Sequence, residues 1–204
     1  MEENKQESAV SPCERVARRT PHSIAVFGNP RALCLAALLA AMSLILGKFL
    51  QIPTPFSELV RISFENLPVI LAGLCLGPLG GAMTGAVADL VGCLAYGYSI
   101  NPIITAGAAS VGLVAGLFGV LLSGAPVLMR VAAAALGGHI VGSLFIKTAG
   151  LAAWYLASYN MGYWELFAWR CISYAIIATL EIVLLYLLLR HRGLSRQLER
   201  MCKK

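Results

Sequence analysis

Lys48, Glu65, Asp89, Lys147, Arg170 and Glu181 lie in stretches of sequence that are otherwise almost wholly apolar. An ionisable group at bilayer depth costs about 2.5–3.5 kcal/mol on insertion scales, so each needs a partner, water or a ligand. Lys48, Lys147 and Arg170 come from three different expected helices, and cations converging in this way attract an anionic ligand through charge-assisted hydrogen bonds. Pairing with Glu65, Asp89 and Glu181 is the competing use, and the two uses are compatible.

Aromatic and amide side chains accompany these charges. Phe64, Tyr98 and Trp154, with Tyr96, Tyr155, Tyr163 and Trp164, fall at expected helix ends or in short connections. Such residues commonly form an interfacial belt, yet beside polar anchors they also suit stacking on a flat heterocycle. Asn66 and Asn101 each offer an amide that donates and accepts to a ring edge, or that caps a helix.

Some chemistry is excluded by what is missing. Lys147-Thr148 follows Ile146, and no GxxxxGK[ST] phosphate loop occurs anywhere in the chain. No GxSxG, HExxH or pair of catalytic carboxylates is present, and His139 stands alone in a glycine-rich stretch as a packed or hydrogen-bonded residue. Cys13, Cys34, Cys75, Cys93, Cys171 and Cys202 are too scattered for a metal site and read as packing residues. No cofactor is implied.

The elements that must position these groups are membrane helices. The chain has 204 residues, 58% apolar and 13% charged, with a mean hydropathy of +0.76. Hydrocarbon offers backbone groups no partner, so apolar runs of about 20 residues read as spanning helices. Such runs fall near residues 32–50, 63–77, 79–96, 102–122, 127–156 and 164–189, giving an all-α, six-helix domain over 31–190. The second run is short; the fifth is longer than a bilayer requires and must tilt, bend or project.

Residues 1–30 read as a disordered cytosolic tail and 191–204 as a basic one. Arg15, Arg18, Arg19 and Arg31 precede the first helix, and Arg190, Arg192, Arg196 and Arg200 follow the last. Both ends therefore belong in the cytosol, and the net charge of +6 reports topology in preference to nucleic-acid binding. In the first helix Ala32, Ala36 and Ala40 repeat every fourth residue and form a smooth stripe on which another helix can pack closely.

Arg61-Ile-Ser-Phe-Glu-Asn-Leu-Pro68, Ala72-Gly-Leu-Cys-Leu-Gly-Pro78, Asp89-Leu-Val-Gly92 and Tyr98-Ser-Ile-Asn-Pro102 together resemble the substrate-binding S components of energy-coupling factor transporters, specifically the folate family. The resemblance runs from about residue 31 to 190 and is strongest from 61 to 116. It implies a six-helix subunit of a prokaryotic plasma membrane that binds a vitamin near its outer side. The implied partners are a transmembrane coupling subunit, which would meet the Ala32, Ala36, Ala40 stripe, and two cytosolic ATPases. For folate, aromatic side chains would hold the pterin, Asn66 and Asn101 would read its edge, and Lys48, Lys147 or Arg170 would attract carboxylates. Another small metabolite such as pantothenate is the alternative cargo; a membrane enzyme or scaffold is the alternative class.

Overall fold

The computed structural model describes residues 30–53, 61–159 and 162–190, so both expected tails lie outside the described residues. Its element order is α1 (Pro30–Phe49), β1 (Gln51–Pro53), β2 (Arg61–Ser63), α2 (Asn66–Tyr96), α3 (Pro102–Leu121), α4 (Val127–Gly138), a π-helical segment (His139–Lys147), α5 (Thr148–Tyr159) and α6 (Tyr163–Arg190). Among the described residues, five helices are long and apolar enough to cross a membrane: α1, α2, α3, the run Val127–Ala153, and α6. The leucines, isoleucines and valines on their outer faces are exposed, as lipid-facing side chains must be.

α2 is not one rod. Gly77 has φ 82° and ψ −178°, a conformation open essentially to glycine alone, and Pro78 follows it. A side chain added at Gly81 would strike the Gly73 backbone, and one added at Gly85 would lie 3.1 Å from Val69. In a straight helix residues eight apart are separated by about 12 Å. Both pairs are centred on residue 77, so the chain reverses there and the two arms run back along each other. The break falls where the second and third apolar runs meet.

α3 packs along both arms. A Cβ at Gly112 would enter the Gly81 carbonyl, and one at Gly116 would meet Gly77 and Pro78. Helix backbones approach this closely only where side chains are absent. α3 is started by Asn101, whose side chain accepts from Ile103 N at 3.0 Å, with Pro102 at the first helical position.

One helix boundary is corrected. The second helix, expected from about residue 63, starts only at Asn66; residues 61–63 instead pair antiparallel with residues 51–53, Ile62 opposite Ile52. The Ala32, Ala36, Ala40 stripe faces inward. Ala32 and Ala40 are buried, and Ala36 packs on the core beside Leu35 and Leu39. These small side chains let α1 lie close against α2, while Cys34, Ala37, Leu38, Ala41 and Ile45 form the outer face.

The long fifth run accommodates its length by widening. Residues 139–147 form π turns between α4 and α5, and His139, Ser143 and Lys147 recur along the buried side of that segment. Wider turns of this kind often mark functional positions.

Candidate functional site

Gln51 of β1, Ser63 of β2 and the 97–99 connection border a cavity of about 340 Å³. That volume is near the lower end of the range of about 300–1,000 Å³ usual for small-molecule sites. Its wall draws on every long helix: Ser43 and Gly47 from α1, Glu65 and Asn66 at the start of α2, Asp89 and Tyr96 at its far end, Ala108 from α3, Lys147 from the π segment, and Arg170 and Tyr174 from α6. Tyr98 and Ser99 lie in the connection to α3 and complete the mouth.

The ionisable side chains are held by one another and by amides and hydroxyls. Lys147 is buried and donates to Glu65 Oε1 at 3.1 Å and, more weakly, to Asn66 Oδ1 at 3.5 Å. Asn66 Nδ2 in turn reaches Ser143 Oγ at 3.5 Å. Ser43 Oγ donates to the Glu65 carbonyl at 2.5 Å, tying α1 to the start of α2. Asp89 Oδ2 accepts from Thr105 Oγ1 at 2.6 Å. Arg170 donates through Nε to Thr148 Oγ1 at 2.8 Å, and through Nη2 to the Ser143 carbonyl at 3.1 Å and Tyr174 Oη at 2.9 Å. Its guanidinium also stands 5.1 Å from the centre of the Tyr174 ring.

Two cations and two carboxylates therefore face one small space, with amide and hydroxyl groups between them. Such a wall donates and accepts on neighbouring atoms, which suits the edge of a polar heterocycle better than a ligand of one charge sign. The tyrosines supply flat surfaces beside it.

The expected site residues do not all reach the cavity. Asn66, Tyr98, Lys147 and Arg170 line the cavity together. Lys48 is on the rim: it is exposed, its ammonium is 5.0 Å from the centre of the Tyr96 ring, and Tyr96 Oη donates to the Leu44 carbonyl at 2.8 Å. Phe64 is half-buried beside the wall and is not part of it. Asn101, expected at a ring edge, serves the fold instead: at 2% exposure it caps α3 and donates to the Gly150 carbonyl at 3.2 Å. The side chain of Trp154 lies outside the described residues.

Sequence reasoning passed over Tyr174, although it stands one helical turn from Arg170, where neighbouring side chains meet. Glu65 and Asp89, the expected partners of the cations, both form part of the wall. Glu181 is not paired with a lysine or arginine of that set; its Oε2 is 2.6 Å from His139 Nε2. Tyr163 and Trp164, in mutual edge-to-face contact, are exposed at the start of α6 in the manner of an interfacial belt.

Known proteins resemble this one in sequence and in fold. The curated protein named "Folate transporter FolT" from Clostridium novyi (strain NT) is 32% identical over 60 residues, which is 29% of this chain and 33% of that protein. The alignment thus spans about a third of the relative's length. A solved structure titled "Crystal structure of FolT bound with folic acid" superposes with a TM-score of 0.61 at 23% identity, over 77% of this chain and 90% of that one. At that identity the likeness is one of fold. The family described as "ECF transporter, substrate-specific component" matches residues 31–190, nearly the whole helical region. The chain is a multi-pass membrane protein and belongs to the substrate-specific components of ECF transporters.

Proposed function

We propose that this chain is the high-affinity vitamin-binding subunit of an ATP-driven uptake transporter in a prokaryotic plasma membrane, and that its cargo is folate. The observation that carries the proposal is the convergence of Asn66, Lys147 and Arg170 with Glu65 and Asp89 in one cavity beside Tyr96, Tyr98 and Tyr174. A pterin presents N–H donors and carbonyl or ring-nitrogen acceptors along one edge. The carboxylates take the donors, Lys147 and Arg170 serve the acceptors, and the tyrosines cover the ring faces. Lys48 on the rim meets the glutamate carboxylates of the tail. The names of the two relatives, one a folate transporter and one bound with folic acid, point to the same ligand.

The reversal at Gly77 divides α2 into two passes, giving six in all. An even number returns both ends to one side, in keeping with Ala32, Leu35, Leu185 and Leu189 sharing one core cluster. Arg31 and Arg190 then face the cytosol, and the cavity opens outward. Energy comes from partners, a coupling subunit and two cytosolic ATPases. With Ala32 and Ala40 turned inward, the smooth surface for the coupling subunit is the outer face of α1 at Ala37 and Ala41.

A thermal-shift screen of vitamins on the purified chain tests the cargo. A ligand at a hundredfold excess over its Kd stabilises the protein by about 2.7 kcal/mol. Folate is expected to give the dominant shift. A dominant shift with pantothenate and none with folate refutes the assignment.

A further inference from the structure

One buried polar pair lies outside the cavity and has no part in the binding chemistry derived above. His139 opens the π segment and Glu181 lies in the second half of α6; their side chains are 3% and 0% exposed, and Nε2 and Oε2 share a hydrogen bond of 2.6 Å. The other polar atom of each, His139 Nδ1 and Glu181 Oε1, is buried with no hydrogen-bond partner among the described residues. An incompletely satisfied buried pair is a poor stabiliser, and apolar residues of similar volume commonly replace one without loss of stability. Stability is therefore a weak reason for the pair's presence.

Its neighbours supply a better one. The His139 ring packs against the Tyr174 ring with centroids 5.3 Å apart, and Tyr174 Oη accepts from Arg170 Nη2. Ser143, one turn beyond His139, gives Arg170 its carbonyl. From Glu181 to His139 to Tyr174 to Arg170 there is thus a continuous line of contact from α6 into the π segment and back to the cavity wall. Arg170 has a long side chain with many rotamers, and a guanidinium positioned in advance loses less freedom when it meets a ligand.

We propose that His139 and Glu181 are positioning residues for ligand binding: the pair fixes the Tyr174 ring, and through it the direction in which Arg170 presents its guanidinium to the cavity. This rests on the reading of folate as the ligand. The role is separable from packing, because a positioning pair acts through Tyr174 and a packing pair does not.

The test is a thermodynamic cycle on the full chain, in detergent, with folate as the probe and the melting midpoint of the ligand-free protein as the second readout. His139→Leu with Glu181→Leu is expected to leave the melting midpoint unchanged or higher and to weaken folate binding about tenfold, a coupling usual within one hydrogen-bond network. In a Tyr174→Leu background the same two substitutions are expected to change affinity by less than about twofold, since the ring that His139 packs on and the hydroxyl that Arg170 reaches are both gone. His139→Gln carries the same cycle if the leucine variant does not fold. Unchanged affinity, an equal loss in both backgrounds, or failure of both variants to fold overturns the inference. If the unmodified chain binds no folate, the functional reading fails and takes this inference with it; an additive cycle in a chain that binds folate overturns the inference alone.

Discussion

Lys147 Nζ lies 3.1 Å from Glu65 Oε1, a pair that joins the π segment to the start of α2 across 82 residues of sequence. The lysine side chain is 8% exposed and the glutamate 43%, so the ion pair has one dry end and one that faces the cavity. That asymmetry makes it a hinge between fold and function: it neutralises a cation inside the bundle, and it leaves a carboxylate edge where a ligand arrives.

Glu65→Gln is expected to lower stability by about 1–3 kcal/mol, less than the loss from breaking a fully buried pair because Glu65 still reaches solvent. Lys147→Met removes the buried charge itself and should cost less stability. Melting of the ligand-free protein checks the order of the two; a Lys147→Met variant markedly less stable than Glu65→Gln contradicts it.

The contact of α3 with the two arms of α2 predicts a steep response to single methyl groups. Gly112→Ala would press into the Gly81 carbonyl and the Ala82 amide and should cost about 1–3 kcal/mol by overpacking. Gly124, in the turn after α3, has nothing within 4 Å of an added Cβ, and Gly124→Ala should stay within about 0.5 kcal/mol of the parent. Comparable melting midpoints for the two variants would show that the arms do not meet α3 as described.

Bulky residues on α1 should separate binding from assembly. Ala37→Trp and Ala41→Trp lie on the exposed face and are expected to preserve folate affinity in detergent while abolishing co-purification with the coupling subunit and uptake in cells. Ala40→Trp, on the buried face, should instead destabilise the chain by overpacking. Normal uptake with Ala37→Trp and Ala41→Trp together would place the docking surface elsewhere.

Much of the fold was legible because apolar runs and their breaks are local signals. Gly77-Pro78 marked a boundary in sequence, and the structure reverses there. The direction of the α1 stripe was not legible. Ala32, Ala36 and Ala40 share one face and Ala37 and Ala41 another, and only the packing partner decides which face turns inward. Asn101 illustrates the same limit in chemistry: the residue before a helix-opening proline caps or binds with the same amide, and here the N–H of Ile103 and the carbonyl of Gly150 claim it. Lys147 and Arg170 were visible as charges out of place in hydrocarbon. Their arrangement depends on a π segment and on Tyr174, and hydrophobic periodicity carries no signature of either.

The central claim is that one cavity gathers Lys147, Arg170, Glu65 and Asp89 to hold folate. Calorimetric titration of the purified chain with folate tests it most directly. The account predicts saturable one-to-one binding, weakened about tenfold or more by Arg170→Ala, as loss of hydrogen bonds from a charged donor requires. Absence of saturable folate binding, or binding that Arg170→Ala leaves unchanged, contradicts it.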